Sequence, residues 1–366
     1  MVVGSVLILT AGFGEGHNAA AKNILAALRR DHREITADLH DIYAEAHPVL
    51  NRICCSGYKL AINRTPRLWK LFYDFLDRAP GASAGVHLLL PARHRLARIH
   101  ARLKPDVVAT TFPGYSPLIN TLPRTFRLVT VVTDSLTINS IWLRGGSDFY
   151  LVANEPTARQ LESAGIPRDQ IRATGFPVPE IFSQPDATRT SPPAGGKWRV
   201  LYMVNVSPHT APDTVRALLG IENIELTVTY GRDDSLGRRL LQVSQETGRP
   251  LELHGWTKEM PNLIRRSHAL VGKAGGATVQ ECLAAATPLV ITQIVPGQEE
   301  GNARLVLENG AGDFAETPEA IAEAVRALFA DNGKLHAART AAAKKLGHPA
   351  GASDAANFIA SLAMGD

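Results

Sequence analysis

The sequence is poor in cysteine, lacks long apolar runs and contains no Asp-x-Asp pair. Its three cysteines, Cys54, Cys55 and Cys282, are too few and wrongly spaced for a disulfide framework or a zinc site, and they fit a reducing compartment. No run of about 18 apolar residues occurs, which argues against a membrane-spanning helix. Hydrophobic residues still make up 45% of the 366 residues, so the chain can build large cores and wholesale disorder is excluded.

Short β-branched runs alternate with amphipathic segments, which predicts an α/β protein with parallel sheets covered by helices on both faces. Strands are predicted at residues 2–10, 106–111, 128–133, 149–152, 199–204, 224–230, 269–272 and 289–293. Residues 176–198 are rich in proline and glycine and resemble an interdomain linker. We therefore predict domains at 1–175 and 199–350, and a C-terminal helix over 351–366 that packs back on the first domain.

Positive charge is concentrated in one segment of the chain. The net charge is only +4, but residues 47–104 contain eleven Lys and Arg against Asp74 and Asp77. Aromatic and aliphatic residues alternate with these charges, a composition typical of surfaces that bind anionic lipid. The plain alternative is a pair of solvated helices. Nucleic-acid binding is a third interpretation, but no familiar nucleic-acid-binding motif supports it.

A glycine-rich loop follows the first predicted strand and opens a helix. Residues 10–17 read Thr-Ala-Gly-Phe-Gly-Glu-Gly-His, and Gly14 and Gly16 allow a ligand to approach the backbone closely. The helix N-terminus offers free N–H groups and partial positive charge. His17 stands where the dinucleotide fingerprint requires glycine, and no P-loop Lys-Ser/Thr follows. The dipole should keep His17 neutral and able to accept a proton, unless it only caps or packs.

Asp134 ends another predicted strand of the first domain. A carboxylate there could orient His17 and stabilise its protonated form, as in catalytic triads. An aspartate that caps the next turn is the alternative interpretation.

The second domain carries a strand, a glycine turn and a helix at residues 272–281. Gly275 and Gly276 with the first helical turn form an anion site suited to a diphosphate, and Glu281 could hydrogen-bond a ribose diol. A tight turn without a ligand is the alternative. Arg232 could neutralise a phosphate, and Trp256 could stack on a base.

A dense group of hydrogen-bonding side chains follows the last strong strand. Gln298, Glu299 and Asn302 are suited to sugar hydroxyls, although the same residues could form a simple polar loop.

Together these motifs resemble glycosyltransferases of family 28 with the GT-B fold, specifically monogalactosyldiacylglycerol synthases and bacterial diacylglycerol glucosyltransferases. The resemblance rests on residues 14–17, 58–75, 133–134, 231–232, 255–260, 273–281 and 295–302. It implies two Rossmann-like domains facing across a cleft. It also implies inverting transfer of glucose or galactose from a UDP-sugar to a lipid hydroxyl, such as that of diacylglycerol. No cofactor or catalytic metal is expected, and the missing Asp-x-Asp agrees with this.

The resemblance makes His17 the candidate base, with Asp134 beside it. The expected donor-binding residues are Gly14, Gly16, Ser207, Arg232, Gly255, Trp256, Lys273, Gly275, Gly276, Ala277, Thr278, Glu281, Gln298, Glu299 and Asn302. The expected acceptor and membrane residues are Tyr58, Arg64, Arg67, Trp69, Lys70, Phe72 and Asn139. The expected protein is cytoplasmic, binds an anionic membrane surface peripherally and does not bind nucleic acid.

The chain departs from the family pattern at three places. Ala274 replaces a usual proline, Asn139 stands where a histidine often follows the strand-end aspartate, and residues 204–209 replace a glycine-rich turn. Ser207 and His209 occur in that last segment. The identity of the acceptor is therefore not inherited with the resemblance.

Four other functions fit parts of the sequence. The same chemistry could serve a soluble acceptor, and the architecture also suits a UDP-sugar epimerase or a non-catalytic UDP-sugar sensor. A nicotinamide-dependent reductase would use loop 12–16 with Asp38 or Asp41 as the ribose ligand at the end of a second strand, but His17 breaks its fingerprint.

Overall fold

The structure is a computed structural model that describes residues 4–64, 90–184, 196–204, 209–297 and 299–365. Its strands are β1 (Gly4–Leu9), β2 (Ile35–His40), β3 (Val107–Thr110), β4 (Arg127–Val131), β5 (Phe149–Leu151), β6 (Ile171–Arg172), β7 (Trp198–Met203), β8 (Ile224–Gly231), β9 (Leu251–Gly255), β10 (Ala269–Lys273), β11 (Leu289–Gln293) and β12 (Gly312–Phe314). Its helices are α1 (Glu15–Asp31), α2 (Ile42–Ala46), α3 (Pro48–Arg64), α4 (Leu90–Leu103), α5 (Ser116–Ile119), α6 (Glu155–Ser163), α7 (Ala211–Leu219), α8 (Asp234–Thr247), α9 (Met260–Arg266), α10 (Gly276–Ala284), α11 (Glu300–Glu308), α12 (Pro318–Leu346) and α13 (Gly351–Met364).

The chain forms two compact units. The first contains Met1–Glu180, Pro296–Gly301 and Ala350–Asp366, and the second contains Ile181–Val295 and Asn302–Pro349. In the part of the chain that the structure describes, no helix combines the length and apolarity needed to cross a bilayer.

The first unit is built on a parallel sheet in the order β2-β1-β3-β4-β5-β6. Successive residues of β1 serve its two faces, as the two-residue period of a strand requires. Val6 and Ile8 pack in a core with α1 and α13, whereas Leu7 and Leu9 pack in a second core that includes α4. Because both faces are covered, β1 is a continuous apolar run rather than an alternating one.

The second unit repeats the architecture with a parallel sheet in the order β12-β11-β10-β7-β8-β9. Val200, Tyr202 and Val228 form its main core with α7, α8 and the first part of α12. The backbone of α12 leaves the helical region at residues 330–333. The expected α/β class with two Rossmann-like units is confirmed.

All eight predicted strands are present, and the four that the sequence patterns do not predict are β2, β6, β9 and β12. These four are the edge strands of the two sheets. An edge strand has only one hydrogen-bonded neighbour and tolerates polar and short sequences, so it lacks the apolar β-branched signal.

Each sheet contains one topological switch point, where strands that follow in the chain are added on the other side of a central strand. β2 and β3 lie on opposite sides of β1, and β8 and β10 lie on opposite sides of β7. The crevice outside the carboxyl ends of the strands at such a switch point is where ligands bind in open α/β sheets. The first switch point lies between β1 and β3, and the second between β7 and β10.

Candidate active site

His17 stands at the first switch point, in the first turn of α1 after Gly14, whose φ of 111° requires glycine. Its Nδ1 lies 2.7 Å from the carbonyl oxygen of Thr111 and 2.9 Å from Oγ1 of Thr133. A carbonyl oxygen can only accept, so Nδ1 carries the proton and Nε2 keeps a free lone pair. Nε2 has no hydrogen-bond partner among the described residues and is therefore the basic atom.

Two aromatic rings pack on the imidazole of His17. The ring of Phe112 meets it edge-on at 5.3 Å between centroids, and the indole of Trp142 lies at 5.9 Å. Burial lowers the pKa of His17 to about 4, and the hydrogen bond to Thr111 offsets this only in part. The direction agrees with the sequence expectation, but desolvation rather than the helix dipole is the main cause.

Asp134 makes no hydrogen bond to His17 among the described residues, and its triad-like role stays a prediction. Its Oδ2 accepts a hydrogen bond of 2.8 Å from Nε1 of Trp142, and no described hydrogen bond joins its carboxylate to the imidazole. The Nδ1 side of His17 is already taken by Thr111 and Thr133. Burial raises the pKa of Asp134 to about 6, while the Trp142 bond lowers it in part. Asp134 therefore anchors the indole that packs on His17.

Asn139 is buried and caps the short helical turn Ser140–Trp142. Its Oδ1 accepts a hydrogen bond of 3.1 Å from the backbone N–H of Ile141. This contact helps to place Trp142 against His17. A place for Asn139 in the acceptor site stays a prediction.

Asp41 is hydrogen-bonded to the glycine-rich loop. Its Oδ2 accepts from the backbone N–H of Gly12 at 3.0 Å, and its Oδ1 accepts from Ala44 N–H at 2.9 Å and from the Tyr115 hydroxyl at 3.3 Å. Both oxygens are thus engaged within the protein. These contacts tie Asp41 to the glycine-rich loop, to α2 and to Tyr115.

At the second switch point, β10 ends at Lys273 and α10 begins after its N-cap residue Gly275. The backbone N–H groups of the first turn, which includes Gly276, Ala277 and Thr278, have no partner within the helix. They lie at the carboxyl end of a central strand, which is the arrangement that the diphosphate hypothesis requires.

Glu281 lies further along α10, and its carboxylate has no hydrogen-bond or ion-pair partner among the described residues. Burial raises the pKa of Glu281 to about 7. A desolvated carboxylate without a donor is costly, and hydroxyl groups of a ligand can relieve that cost.

Arg232 and Trp256 form an exposed platform at the carboxyl ends of β8 and β9. Gly231 and Gly255, the last residues of these strands, are register partners. The guanidinium of Arg232 lies 5.1 Å from the centre of the Trp256 ring, and the tryptophan is 57% exposed. The pair offers a flat surface for stacking and a positive charge for a phosphate.

Asn302 is buried, and its expected donor-binding role stays a prediction. Its Nδ2 donates to the carbonyl oxygen of Ala274 at 3.2 Å, and its Oδ1 is shielded from solvent. Asn302 thus ties α11 to the loop before α10. Glu299 is also buried, whereas Lys273 is half-buried.

Several expected site residues cannot be placed in this way. Ser207, Gln298, Arg67, Trp69, Lys70 and Phe72 lie outside the described residues. Tyr58 and Arg64 belong to α3, but their side chains are not among those described. Within the described ranges, no group of three or more histidine, cysteine, aspartate or glutamate side chains could hold a metal ion.

The structure adds residues that sequence reasoning missed. Thr111 and Trp142 contact His17 directly, yet neither belongs to a recognised motif. A signal for Thr111 was present, because it is the last residue of the strand predicted at residues 106–111. Trp142 gave no such signal, since its position depends on how the loop after β4 folds.

Two family models match the chain, one in each half. Residues 17–178 match monogalactosyldiacylglycerol (MGDG) synthase, and residues 208–355 match the glycosyltransferase family 28 C-terminal domain. A processive diacylglycerol beta-glucosyltransferase from Bacillus cytotoxicus is 26% identical over 341 residues, which cover 90% of this chain and 87% of the relative.

Solved structures share the fold over nearly the whole chain. MurG of Acinetobacter baumannii has a TM-score of 0.62 at 15% identity and covers 98% of this chain and 99% of its own. A putative UDP-N-acetylglucosamine 2-epimerase from Listeria monocytogenes has a TM-score of 0.64 at 15% identity, with 99% and 96% coverage.

The two parallel sheets and these similarities define the class of protein, a glycosyltransferase of the GT-B fold. The N-terminal half of the chain is of the MGDG synthase type, and its C-terminal half is a glycosyltransferase family 28 C-terminal domain.

We predict that Asp134→Asn stabilises the protein at pH 8. Because the native pKa of about 6 lies above the unfolded value of roughly 3.9, the native state binds more protons and loses stability as pH rises between these values. Asparagine removes that loss and can still accept from Trp142. Thermal unfolding should show a higher Tm than wild type at pH 8 and no gain near pH 4. The exposed control Asp234→Asn should show no such pattern, and an equal shift at both pH values would contradict the prediction.

Proposed function

We propose that this enzyme transfers a hexose, glucose or galactose, from a UDP-sugar to a hydroxyl of a lipid such as diacylglycerol, with inversion and without a catalytic metal. The observation that carries the proposal is the free Nε2 of His17 at a switch point, in a chain that also has a family 28 C-terminal domain. The name of the Bacillus relative favours glucose and a diacylglycerol acceptor.

The chemistry begins with the acceptor hydroxyl at Nε2 of His17. The hydroxyl oxygen attacks the anomeric carbon, its proton passes to Nε2, and the bond from that carbon to the UDP oxygen breaks on the opposite side. General-base assistance of this kind contributes roughly 10²–10⁴-fold. The low pKa of His17 keeps the imidazole unprotonated at neutral pH, so the base is available without prior loss of a proton.

The donor is held by the second unit. The N–H groups at the start of α10 and the Arg232 guanidinium meet the negative charge that develops on the leaving diphosphate. Trp256 stacks on the base, and the unpartnered carboxylate of Glu281 accepts hydrogen bonds from the ribose hydroxyls. Lys273, the last residue of β10, and Glu299, which directly precedes α11, are the other donor-binding residues of this hypothesis.

The lipid comes from a membrane surface that the first unit binds peripherally, on the cytoplasmic side. Val49 and Ile53, one helical turn apart on α3, are 69% and 63% exposed, and Leu50 is 37% exposed. Arg52 and Arg93 are exposed on α3 and α4. Apolar side chains among basic ones suit insertion between anionic headgroups.

Purified enzyme incubated with UDP-glucose or UDP-galactose and diacylglycerol in vesicles should form hexosyl-diacylglycerol with β linkage, detectable by mass spectrometry and NMR. His17→Ala should lower turnover by at least about a hundredfold with UDP affinity retained, since the base touches only the acceptor. Glycosylation of only a soluble acceptor would replace the lipid. Conversion of the nucleotide sugar without an acceptor would identify an epimerase, and UDP-sugar binding without turnover would identify a sensor.

We predict that UDP binding releases a proton from Glu281. Ribose hydroxyls that donate to the carboxylate stabilise its charged form, so its pKa falls from about 7 and about half a proton leaves at pH 7. Calorimetry in two buffers of different ionisation enthalpy measures this number. The released fraction should be smaller in Glu281→Gln, and that difference should vanish with a UDP analogue lacking the ribose diol. Equal proton release by wild type and Glu281→Gln would refute it.

We predict that Val49→Glu with Ile53→Glu reduces sedimentation with anionic phospholipid vesicles by roughly tenfold, because two exposed apolar side chains no longer enter the bilayer. Leu241→Glu is the matched control, since Leu241 is 50% exposed on α8 of the second unit. Activity on a detergent-dispersed acceptor should survive in all three proteins. Unchanged sedimentation of the double variant would remove this surface as the membrane contact.

A further inference from the structure

Three buried threonines lie at the carboxyl ends of three neighbouring strands, and two of them, Thr111 and Thr133, contact His17. Thr10 directly follows β1, Thr111 directly follows β3, and Thr133 lies two residues beyond β4. These strands are adjacent in the sheet, in the order β1-β3-β4. All three threonines are buried, with exposures of 4%, 0% and 5%. We call this group the threonine collar.

Thr111 holds His17 through two different groups. Its carbonyl oxygen accepts the Nδ1 proton at 2.7 Å, and its hydroxyl lies 3.1 Å from the backbone carbonyl of His17, within donating distance. The same hydroxyl lies 3.2 Å from Oγ1 of Thr10, which connects the collar across the switch point. The ring and the backbone of His17, which follows β1, are thus both held by a residue at the end of the neighbouring strand β3.

Thr133 makes the second contact to Nδ1, at 2.9 Å. Nδ1 carries one proton, which already points towards the Thr111 carbonyl, so the Thr133 hydroxyl oxygen accepts a share of the same N–H. No carboxylate bonds to Nδ1 among the described residues. Two neutral oxygens therefore stand where many catalytic histidines have an aspartate.

We propose that Thr133 is a positioning residue for His17, and this proposal rests on the proposed role of His17 as the base. With the Thr111 carbonyl, it holds the imidazole in the Nδ1–H tautomer, so that the lone pair on Nε2 faces the acceptor. When Nε2 takes the proton, Nδ1–H becomes a stronger donor and both oxygens stabilise the positive charge. A hydroxyl acceptor stabilises the imidazolium less than a carboxylate does, so the histidine remains a weak base that is unprotonated at neutral pH.

The sharpest test compares three variants. Thr133→Val removes one acceptor with little change in shape and should lower kcat about tenfold while KM for the UDP-sugar and the affinity for UDP stay within twofold. Thr133→Ser restores the hydroxyl and should recover most of the activity. Thr130→Val is the matched control, because Thr130 is a buried threonine of β4 whose hydroxyl bonds Ser147 instead of His17.

The pH profile separates positioning from a merely structural role. Loss of one acceptor destabilises the imidazolium, so the pKa of His17 in Thr133→Val should fall below that of wild type. Nitrogen-15 NMR of histidine-labelled enzyme, with the His17 signals identified by their loss in His17→Gln, reports both this pKa and the tautomer. Wild type should show a protonated Nδ1 and an unprotonated Nε2.

Three outcomes overturn the inference: a wild-type His17 protonated on Nε2, a Thr133→Val enzyme with wild-type kcat, or equal losses in Thr133→Val and Thr133→Ser. Thermal unfolding checks that the variants fold. If His17→Ala retains full transfer activity, the base role itself is wrong. If His17→Ala is inactive but Thr133→Val is not, only the role of Thr133 is wrong.

Discussion

The hydrogen bond from Nδ1 of His17 to the carbonyl oxygen of Thr111 is the contact on which the candidate site depends. It joins the loop after β1 to the end of β3, across the point where the sheet changes its direction of growth. Because the acceptor is a backbone carbonyl, the tautomer of the histidine is set by the fold of the sheet itself. The position of the basic atom Nε2 follows from that single geometric fact.

Burial, rather than pairing of charges, controls the ionisable groups at both switch points. It lowers the pKa of His17 and raises the pKa values of Asp134 and Glu281. None of the three has a charged partner among the described residues. Perturbed groups of this kind cluster at functional sites, because a ligand can supply the missing hydrogen bonds. Both ends of the proposed reaction, the acceptor hydroxyl and the nucleotide ribose, thus meet groups that the fold leaves unsatisfied.

Central and edge strands differ in what the sequence tells about them. β1, β3, β7 and β10 are covered on both faces, so burial demands continuous apolar runs that are visible in the sequence. β2, β6, β9 and β12 have a hydrogen-bonded neighbour on one side only, and their sequences show no continuous apolar run. β2 shows the difference clearly, since Asp38 and His40 share it with the buried Ile35. Local pattern therefore predicts the middle of each sheet and leaves its borders to tertiary pairing.

By itself, the sequence determined the alternation of strands and helices, the two glycine turns and the prominence of His17, because these depend on local period and backbone chemistry. Only the tertiary structure decided which atoms meet that histidine. Asp134 accepts a hydrogen bond from the indole of Trp142 and not from the histidine. The histidine is hydrogen-bonded instead to a backbone carbonyl and a threonine hydroxyl. Side-chain partners across a sheet depend on strand order and loop paths, which are set by packing of the whole unit rather than by neighbours along the chain.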